Sequence, residues 1–389
     1  MSDSDDEDSQ TSAVVPLGPF AHSCGYCSPA GERSAAKSSV NAATLEALRL
    51  TCDVYQKMID RGWRRSGTYC YKPDLRASCC PQYTIKLDAK TFQPSKSQRK
   101  VINKWNKFIL EGDLGGDIPV DGSSATRKPA KRQQPFDLVR DLHASEKPFL
   151  DADARPAHEF TVTLELARYT DEKFALYQSY EANIHHKPEK QKTSFTEFLC
   201  DSPLLTSPMT YPATAPAHLP TEYGSYHQLY RLDGRLIAMG VIDILPSCVS
   251  SVYFMWEKEF EKYSLGKLSA MREVALAREI AEAGAEGMEY LYMGFYIHSC
   301  PKMRYKGEYS PSYLADPEDF SWHRLEPCLK QLETHRYACF SKPEHSLRIG
   351  EPPPEASSLR AGSFKQRAAA VIEALGLEVA RQVDFYSAY

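Results

Sequence analysis

The sequence lacks any long hydrophobic run. No stretch of its 389 residues reaches the roughly 18 uncharged apolar residues that a membrane-spanning helix requires. The chain opens with acidic and serine residues, unlike the basic and then apolar start of a secretory signal peptide. We therefore expect a soluble protein of the cytoplasm, with the nucleus left open, that binds no membrane. With 42% hydrophobic residues, the chain can bury a sizeable core in about two domains.

Internal repeats are also missing, and so is any Ser/His/Asp or Cys/His pattern of nucleophilic catalysis.

Cysteine, in contrast, is plentiful, with eleven residues. In an intracellular protein these are expected to be reduced thiols, some of them metal ligands. Cys24 and Cys27 are spaced to place two thiolates on one turn, which is half of a tetrahedral sulfur site. The adjacent Cys79 and Cys80 supply the other half if Pro81 kinks the backbone there. Four thiolates suit zinc and an iron–sulfur cluster equally well, and the remaining cysteines are expected to be ordinary buried thiols.

The formal net charge of −4 hides an uneven distribution. Five acidic residues within the first eight contribute −5, so the rest of the chain carries +1. Basic residues cluster at Lys86, Lys90, Lys96, Arg99, Lys100, Lys104 and Lys107, and again at Arg127, Lys128, Lys131 and Arg132. This clustering permits a polyanionic partner, although a solvated helix face or linker would show the same pattern.

The stretch from residue 227 to residue 298 has the clearest architecture. Predicted strands at 226–232 and 235–245 flank Asp233-Gly234, which suits a two-residue hairpin turn. A third strand at 249–256, a glycine turn at 263–269, a helix of about five turns and a strand at 289–297 follow. This order is the core pattern of the GNAT acyltransferases, in which the glycine loop and helix start bind an anionic donor. The predicted fold class is α/β (α+β), with a GNAT-like domain after a smaller cysteine-rich metal-binding domain.

Composition divides the rest of the chain. The predicted segments are a disordered acidic head (1–19), an N-terminal domain with the metal site (20–110), a linker (111–156), the GNAT-like C-terminal domain (157–345) and a C-terminal extension (346–389). The N-terminal domain is predicted to contain a helix at 42–59 and a basic amphipathic helix at 96–110, and the extension closes with a helix at 364–383.

Several long motifs resemble the eukaryotic arginyl-tRNA–protein transferases. They are residues 24–27 (CGYC), 55–71 (YQKMIDRGWRRSGTYCY), 79–87 (CCPQYTIKL), 198–203 (FLCDSP), 224–252 (GSYHQLYRLDGRLIAMGVIDILPSCVSSV) and 292–307 (YMGFYIHSCPKMRYKG). The resemblance covers roughly residues 20–110 and 160–340.

That resemblance implies a function. The family transfers arginine from Arg-tRNA to the α-amino group of proteins that begin with Asp, Glu or oxidised cysteine, and this creates a signal for ubiquitin-dependent degradation. It also implies a GNAT-like C-terminal part and an iron–sulfur cluster or zinc held by the N-terminal cysteines, Cys24, Cys27, Cys79 and Cys80. The expected partners are Arg-tRNA and proteins with acidic N-termini, and the expected state is a monomer. The donor is an activated ester, which explains why no enzyme nucleophile is evident.

Asp243 is the first candidate to bind the transferred arginine. In its predicted strand it shares a face with apolar side chains, where a carboxylate has to be paired or lie at the edge of a cleft. A structural aspartate bonded to the turn at 246–247 is the alternative. Pairing across the hairpin turn matches Tyr226 with Val241 and Tyr230 with Ile237, which places both tyrosines on the Asp243 side. His227 then faces the other way as a core histidine, unless a bulge makes it a candidate base.

Cationic residues are the candidates for the anionic parts of the substrates. The candidates for binding the acceptor and the donor are Lys302, Arg304, Lys306, Arg64, Arg65 and Gly266. The candidates for binding tRNA are Lys96, Arg99, Lys100 and Lys104. The catalytic candidates are Asp243, His227 and Tyr230. For the residues after 300, a solvated basic loop is the alternative.

Two other functions compete with this hypothesis. An acetyl-CoA-dependent N-acetyltransferase needs a second small residue two places after the glycine of its pyrophosphate loop, but here Gly266 is followed by Lys267 and Leu268. This disfavours CoA as a cofactor. A non-catalytic, metal-dependent RNA-binding module would have no use for a carboxylate embedded in an acyltransferase core.

Overall fold

The structure is a computed structural model that describes residues 11–27, 32–113, 135–354 and 362–387. The strands are β1 (Ser12–Pro16), β2 (Phe20–His22), β3 (Ser39–Thr51), β4 (Arg64–Ser66), β5 (Tyr69–Pro73), β6 (Tyr83–Asp88), β7 (Phe160–Leu166), β8 (Leu204–Leu205), β9 (Ser207–Pro208), β10 (Glu222–Leu232), β11 (Arg235–Leu245), β12 (Cys248–Trp256), β13 (Tyr290–Tyr296), β14 (Ser312–Ala315), β15 (Trp322–Arg324), β16 (His335–Tyr337), β17 (Leu347–Arg348) and β18 (Val383–Phe385). The helices are α1 (Cys52–Asp60), α2 (Lys96–Glu111), α3 (Leu138–His143), α4 (Asp171–Asn183), α5 (Lys192–Phe195), α6 (Leu265–Glu282), α7 (Pro301–Arg304), α8 (Leu325–Leu332), α9 (Phe364–Leu375) and α10 (Leu377–Ala380). Short 3-10 helices lie at Lys147–Phe149, Lys258–Tyr263, Tyr305–Glu308 and Pro343–His345, and a π-helical turn, Thr196–Cys200, continues α5.

The larger sheet has the strand order β15-β14-β6-β13-β12-β11-β10-β7, and β9 pairs with β10. Neighbouring strands along this order are antiparallel except β12 and β13, which are parallel and joined by α6. A parallel pair needs such a crossover because its strands run in the same direction. The predicted hairpin is confirmed, since Leu232 pairs with Arg235 across the turn and Asp233 and Gly234 both have positive φ.

The smaller sheet has the order β18-β1-β3-β5-β4, with β2 and β8 also pairing with β3. Its central strand, β3, lies where the sequence predicts the start of a helix, so that prediction is wrong for residues 42–51. The helix begins only at Cys52, where the Thr51 hydroxyl accepts a hydrogen bond from the amide of Val54. The segment 42–50 is rich in the helix formers alanine and leucine, but pairing on both edges overrides this local preference.

Both faces of the larger sheet are covered. On one face α2, α3, α6 and α8 build the largest core, which includes Trp105, Met271 and Ile242. On the other face α4 and the helical turn after it pack against Leu229 and Met239. The smaller sheet, α1 and α9 form a further core that continues onto residues of β11, β12 and β13. Among the described helices, none combines the length and apolarity that crossing a bilayer requires.

The structure corrects the predicted segments in several places. Residues 12–16 of the predicted disordered head form β1, in which Ala13 and Val14 are fully buried, while residues 1–10 lie outside the described part. Of the predicted linker, residues 138–143 form α3 and pack into the largest core, and residues 114–134 are not described.

The boundary predicted between the two domains is not a structural one. β6 and α2 come from the predicted N-terminal domain, yet β6 lies inside the larger sheet between β13 and β14, and α2 packs against α6. The end of the predicted extension returns to the smaller sheet, where β18 runs parallel to β1. Its predicted helix stops at Leu375, because Gly376 adopts a φ of 75° there.

Candidate functional site

A cavity of about 780 Å³ opens where β12 and β13 separate. The two strands are hydrogen-bonded only from Cys248 to Ser250, opposite Tyr290 to Tyr292, although both continue beyond these residues. Later residues of both strands line the cavity, together with the start of α6, β4 and the segment after β13. The cavity therefore lies at the carboxyl end of a parallel strand pair, beside the N-terminus of a long helix.

One wall of the cavity is cationic and contains Arg64. This side chain is buried, and in the described structure no carboxylate lies within ion-pair distance of it. Its guanidinium donates to the carbonyl oxygens of Trp63 (2.7 Å) and Gly294 (3.2 Å), and it lies over the rings of Phe295 and Tyr292. Its Nε–H has no hydrogen-bond partner. A buried charge held in this way is incomplete and can bind an anion.

Lys306 lies beside Arg64 on the same wall. Its ammonium donates to the carbonyl oxygen of Phe295 at 2.8 Å. Burial, followed by repulsion from Arg64, lowers the pKa of Lys306 to about 7. Lys302 lines the cavity too, whereas Arg304 lies in a separate groove with Tyr296 and His298. The structure thus brings Arg64, Lys302 and Lys306 together and leaves Arg304 out.

Asp243 is not open to a substrate, which corrects its predicted role. The carboxylate is fully buried and accepts hydrogen bonds from Arg65 Nε (3.0 Å), Arg65 Nη2 (2.5 Å) and the Ser225 hydroxyl (2.7 Å). Arg65 therefore occupies the position that the sequence suggested for a bound arginine. Because its own charge is neutralised by Asp243, Arg65 contributes a fixed part of the cavity wall and no free cation.

A bulge in the hairpin explains why the predicted facing of the tyrosines is wrong. The register shifts between Tyr230 and Arg231, so Tyr226 pairs with Ile242 and His227 with Val241. Tyr226 and Tyr230 consequently pack in the core beneath α6, while Met239 and Val241 pack beneath α4. A single inserted residue is enough to move a run of side chains to the opposite face.

His227 and Tyr230 do not line the cavity, and both belong to the interior. The His227 ring lies 2.8 Å from the Lys173 ammonium through Nδ1 and 2.9 Å from the Leu199 carbonyl oxygen through Nε2. Burial, followed by the charge of Lys173, lowers the pKa of His227 to about 4. The Tyr230 hydroxyl donates to Gln228 Oε1 at 2.7 Å. Neither side chain is placed to act as a base on a molecule in the cavity.

Helix α6 contributes to the cavity a carboxylate that the sequence analysis missed. Glu273 lies on α6, is fully buried and lines the cavity. The Ser269 hydroxyl, one helical turn earlier, donates to Glu273 Oε1 at 3.0 Å. Burial raises the pKa of Glu273 to about 7. Glu273 could have been identified from the sequence, because it is a glutamate among the apolar positions of the helix. The same kind of pattern identified Asp243 as a candidate.

The start of α6 closes one side of the cavity. Ser264 adopts a left-handed conformation, and Gly266 and Lys267 line the cavity. A Cβ atom on Gly266 would lie 4.0 Å from the Trp256 ring, an ordinary contact, so the fold itself does not require glycine here. Trp256 also lines the cavity, and its Nε1–H is buried without a partner.

The four predicted cysteine ligands meet in one cluster, which confirms their shared site. The Sγ atoms of Cys24, Cys27, Cys79 and Cys80 all lie within 4.8 Å of one another, and those of Cys27 and Cys79 are 3.6 Å apart. Zinc–sulfur bonds of ~2.3 Å in a tetrahedron give sulfur separations of ~3.8 Å. Burial raises the pKa of Cys24 to about 12, so without a cation these thiols cannot all ionise. The donor set therefore fits a metal.

The cysteine cluster supports the cationic wall of the cavity. Ile297 and Cys300, which follow β13, pack with Cys24 and Cys80, and Met303 and Tyr26 pack against this group. Tyr26 and Met303 also line the cavity. A change in the cluster would therefore reach the wall that carries Lys302 and Lys306.

Three of the four predicted tRNA contacts are exposed. Lys96, Lys100 and Lys104 are exposed on α2, while Arg99 is half-buried and lies over the Phe136 ring. Lys104 donates to the carbonyl oxygen of Lys262 at 2.8 Å, in the 3-10 helix that leads into the start of α6. The basic face of α2 therefore adjoins an edge of the cavity.

Comparison with known proteins shows that the sequence of this chain matches one family. The family models described as "Arginine-tRNA-protein transferase, N terminus" and "Arginine-tRNA-protein transferase, C terminus" match residues 22–100 and 172–316. A Drosophila melanogaster protein named "Arginyl-tRNA--protein transferase 1" is 32% identical over 414 residues, covering 81% of this chain and 82% of its own length. A Pseudomonas fluorescens "Aspartate/glutamate leucyltransferase" is 26% identical, covering 67% of this chain and 79% of its own length. A solved domain from Agrobacterium fabrum, at a TM-score of 0.26 and 11% identity over 63% of this chain and 52% of that one, is too distant to carry an argument.

Proposed function

This chain belongs to the arginyl-tRNA–protein transferase family, and from this premise we propose that it transfers arginine from Arg-tRNA to the α-amino group of proteins that begin with aspartate or glutamate. The Pseudomonas relative is named for aspartate and glutamate, which supports an acidic first residue in the acceptor. Oxidised cysteine, which is also acidic, is proposed as a third acceptor. The product would be a protein marked for ubiquitin-dependent degradation.

The observation that carries this proposal is the cavity with its incompletely satisfied cation. The buried guanidinium of Arg64 has no carboxylate partner among the described residues, and an acceptor's Asp or Glu side chain supplies one. Lys306 lies close enough to take part in the same contact. Because a charge-assisted hydrogen bond is strongest in a closed site, this wall discriminates an acidic first residue from its neutral amide.

The reaction needs positioning more than activation. The acceptor's neutral α-amine attacks the ester carbonyl of the arginyl group, an amide bond forms, and the ester bond to the tRNA ribose breaks. One proton leaves the attacking amine, and the ribose oxygen takes up a proton as it departs. Nearby cations such as Arg64 and Lys306 lower the pKa of the acceptor ammonium and so favour the neutral amine.

We further infer a GNAT-like architecture for the larger sheet. Antiparallel β10, β11 and β12, then α6, then the parallel strand β13 support this inference, as does a cavity between the two strands that separate. In such an arrangement the donor enters beside the helix start, where backbone N–H groups point towards an anion.

The tRNA body is proposed to lie along α2. Its exposed lysines make phosphate contacts, which position a nucleic acid without reading its sequence. Since Lys104 bonds the segment that leads to the start of α6, a tRNA on this face reaches the cavity with its aminoacylated end.

Neutralising this face is expected to flatten the salt dependence of tRNA binding. Replacing Lys96, Lys100 and Lys104 by glutamine should make the association constant for tRNA depend less on salt. The slope of its logarithm against the logarithm of the salt concentration should fall by nearly one unit per lost phosphate contact. Fluorescence anisotropy with labelled tRNA at several salt concentrations measures it. Lys342, exposed and remote in sequence, is the matched control for loss of surface charge. An unchanged slope would mean that α2 is only a solvated surface.

For the cysteine cluster we propose a single tetrahedral metal, with zinc the simplest occupant. In a multinuclear iron–sulfur cluster, thiolates bound to different irons are separated by the iron–sulfide core, whereas these four sulfur atoms all lie within 4.8 Å of one another. The metal would be held by Cys24, Cys27, Cys79 and Cys80, and its role would be structural, because four thiolates leave no open position.

We also propose a cytoplasmic location, which suits eleven free thiols. Fluorescence microscopy of the tagged protein tests it.

A transfer assay tests the proposed function directly. The full chain should move labelled arginine from Arg-tRNA to a peptide beginning with Asp, and should transfer little to the matched peptide beginning with Asn. Acetyl-CoA serves as the competing donor. Acetylation of the peptide without arginine transfer would replace the proposal by an N-acetyltransferase. Tight tRNA binding with neither transfer would favour a non-catalytic RNA-binding module.

A further inference from the structure

Glu273 differs from every other buried carboxylate in the described structure. The others are Asp141, Glu146, Glu181, Asp243 and Asp316. Each of these has a cation or several backbone N–H groups as partners: Glu146 pairs with Arg272, for example, and Asp316 accepts from four backbone amides. Glu273 has only the hydroxyls of Ser269 and Ser251. Within the described residues no cation lies in ion-pair contact with it.

An unpaired carboxylate at this depth is energetically unfavourable. Burying an ionised group without a partner is costly, and the structure keeps Glu273 partly protonated near neutral pH, since burial raises its pKa to about 7. If the side chain only filled the core, glutamine or leucine would do so without the cost of a buried charge. The carboxylate also lines the cavity in which the substrates are proposed to meet, so a cationic ligand would complete the missing pair.

We propose that Glu273 binds the guanidinium of the arginine carried by the donor tRNA, and that this contact makes arginine the transferred residue. The inference rests on the proposed function, which supplies the cationic ligand. A carboxylate accepts two parallel hydrogen bonds from a guanidinium, a geometry that no uncharged amino acid side chain reproduces.

The walls of the cavity suit this assignment. Glu273 lies on α6, whereas Arg64 and Lys306 come from β4 and the segment after β13, and neither cation is in ion-pair contact with Glu273. Glu273 therefore lies on a different element from Arg64 and Lys306, and Lys267, the cation that α6 adds to the lining, is within ion-pair distance of Glu308 instead. Its lining also includes the aromatic rings of Tyr253, Phe254, Trp256 and Tyr305. Such rings pack well against the alkyl stem and flat guanidinium of arginine.

The test compares two donors on the full-length protein. One tRNA is charged with arginine and the same tRNA is mischarged with leucine, and the acceptor is a peptide beginning with Asp. Glu273→Gln keeps the shape of the side chain and its hydrogen bond to Ser269, and it removes a buried ionisable group, so the fold should be retained. It should lower kcat/KM for arginine transfer roughly 10- to 150-fold, the loss expected for a charge-assisted contact, and affect leucine transfer far less. Glu282→Gln, an exposed change on the same helix, is the control and should leave both rates unchanged.

A second experiment uses the unaltered protein, so its result does not depend on how a variant folds. Arginine amide should inhibit arginine transfer at least roughly tenfold better than citrulline amide, which has the same shape but no charge. Equal inhibition by the two amides, or equal loss with both donors in Glu273→Gln, would overturn the proposal; the second result would indicate that Glu273 acts on the proton of the acceptor amine. Absence of arginine transfer by the unaltered protein would instead refute the proposed function.

Discussion

Replacing Asp243 by alanine is expected to lower the free energy of unfolding by roughly 3–5 kcal/mol, the loss typical of a buried ion pair that is deprived of one partner. The carboxylate is fully buried and its side-chain contacts are with Arg65 and Ser225. Without it, the guanidinium of Arg65 would stay buried with an uncompensated charge. The shift of the urea unfolding midpoint, followed by circular dichroism, measures the effect.

Two matched variants separate this effect from general destabilisation. Removing the exposed partner of Lys90 by Glu289→Ala should cost less than about 1 kcal/mol, because surface ion pairs contribute little. Replacing both members of the buried pair, with Arg65→Met and Asp243→Leu together, should cost less than Asp243→Ala alone. If Asp243→Asn instead folds with unchanged stability and loses arginine transfer but not leucine transfer, then Asp243, and not Glu273, contacts the arginine of the donor.

The sequence predicts the local parts of this fold well. The hairpin at Asp233-Gly234, the five-turn helix α6 and the strand that follows it are all found, because turn chemistry and periodicity are encoded within short stretches. The cysteine site was predictable for a similar reason. Cys24 and Cys27 are only three residues apart, and only Cys79 and Cys80 had to be added from a distance.

The pairings between strands that are distant in sequence could not be predicted from the sequence. β3 has the composition of a helix and becomes a strand because β1 and β5 pair with its two edges. β6 is close to the cysteine ligands in sequence, yet it lies inside the larger sheet, between strands that come more than 200 residues later. Local propensity contains no information about such partners.

The same limit explains the errors within the site. The Asp233-Gly234 turn fixes the register only as far as the bulge at Tyr230, beyond which the predicted faces are reversed. Asp243 was predicted to bind the guanidinium of the substrate, but the guanidinium that pairs with it belongs to Arg65, which is distant in sequence. Glu273 satisfies the same criterion on a helix, and only the position of α6 beside the separating strands shows that it reaches the cavity.

Replacing Cys79 by serine is expected to remove the bound metal as completely as replacing Cys24. The four sulfur atoms are mutually close, so each thiolate supplies about a quarter of one shared coordination shell. A structural zinc contributes about 10–16 kcal/mol of apparent binding free energy in small zinc-binding peptides, and in such proteins metal binding is coupled to folding. Loss of one ligand should therefore destabilise the two segments that hold Tyr26 and Met303 and weaken acceptor binding at the adjacent wall.

The decisive readout for the cysteine site is metal content, because a general loss of activity would not identify it. Elemental analysis and visible absorbance of anaerobically purified protein should show metal in the unaltered chain and background levels in Cys24→Ser and Cys79→Ser. Cys328→Ser is the matched control, since this buried thiol donates to the Arg324 carbonyl oxygen and a serine hydroxyl can do the same. Neither iron nor zinc in the unaltered protein would leave four packed thiols with no metal role. Metal retained in Cys79→Ser but lost in Cys24→Ser would exclude a shared four-thiolate centre, because a tetrahedral site closed by all four sulfurs cannot keep its metal equally well with three.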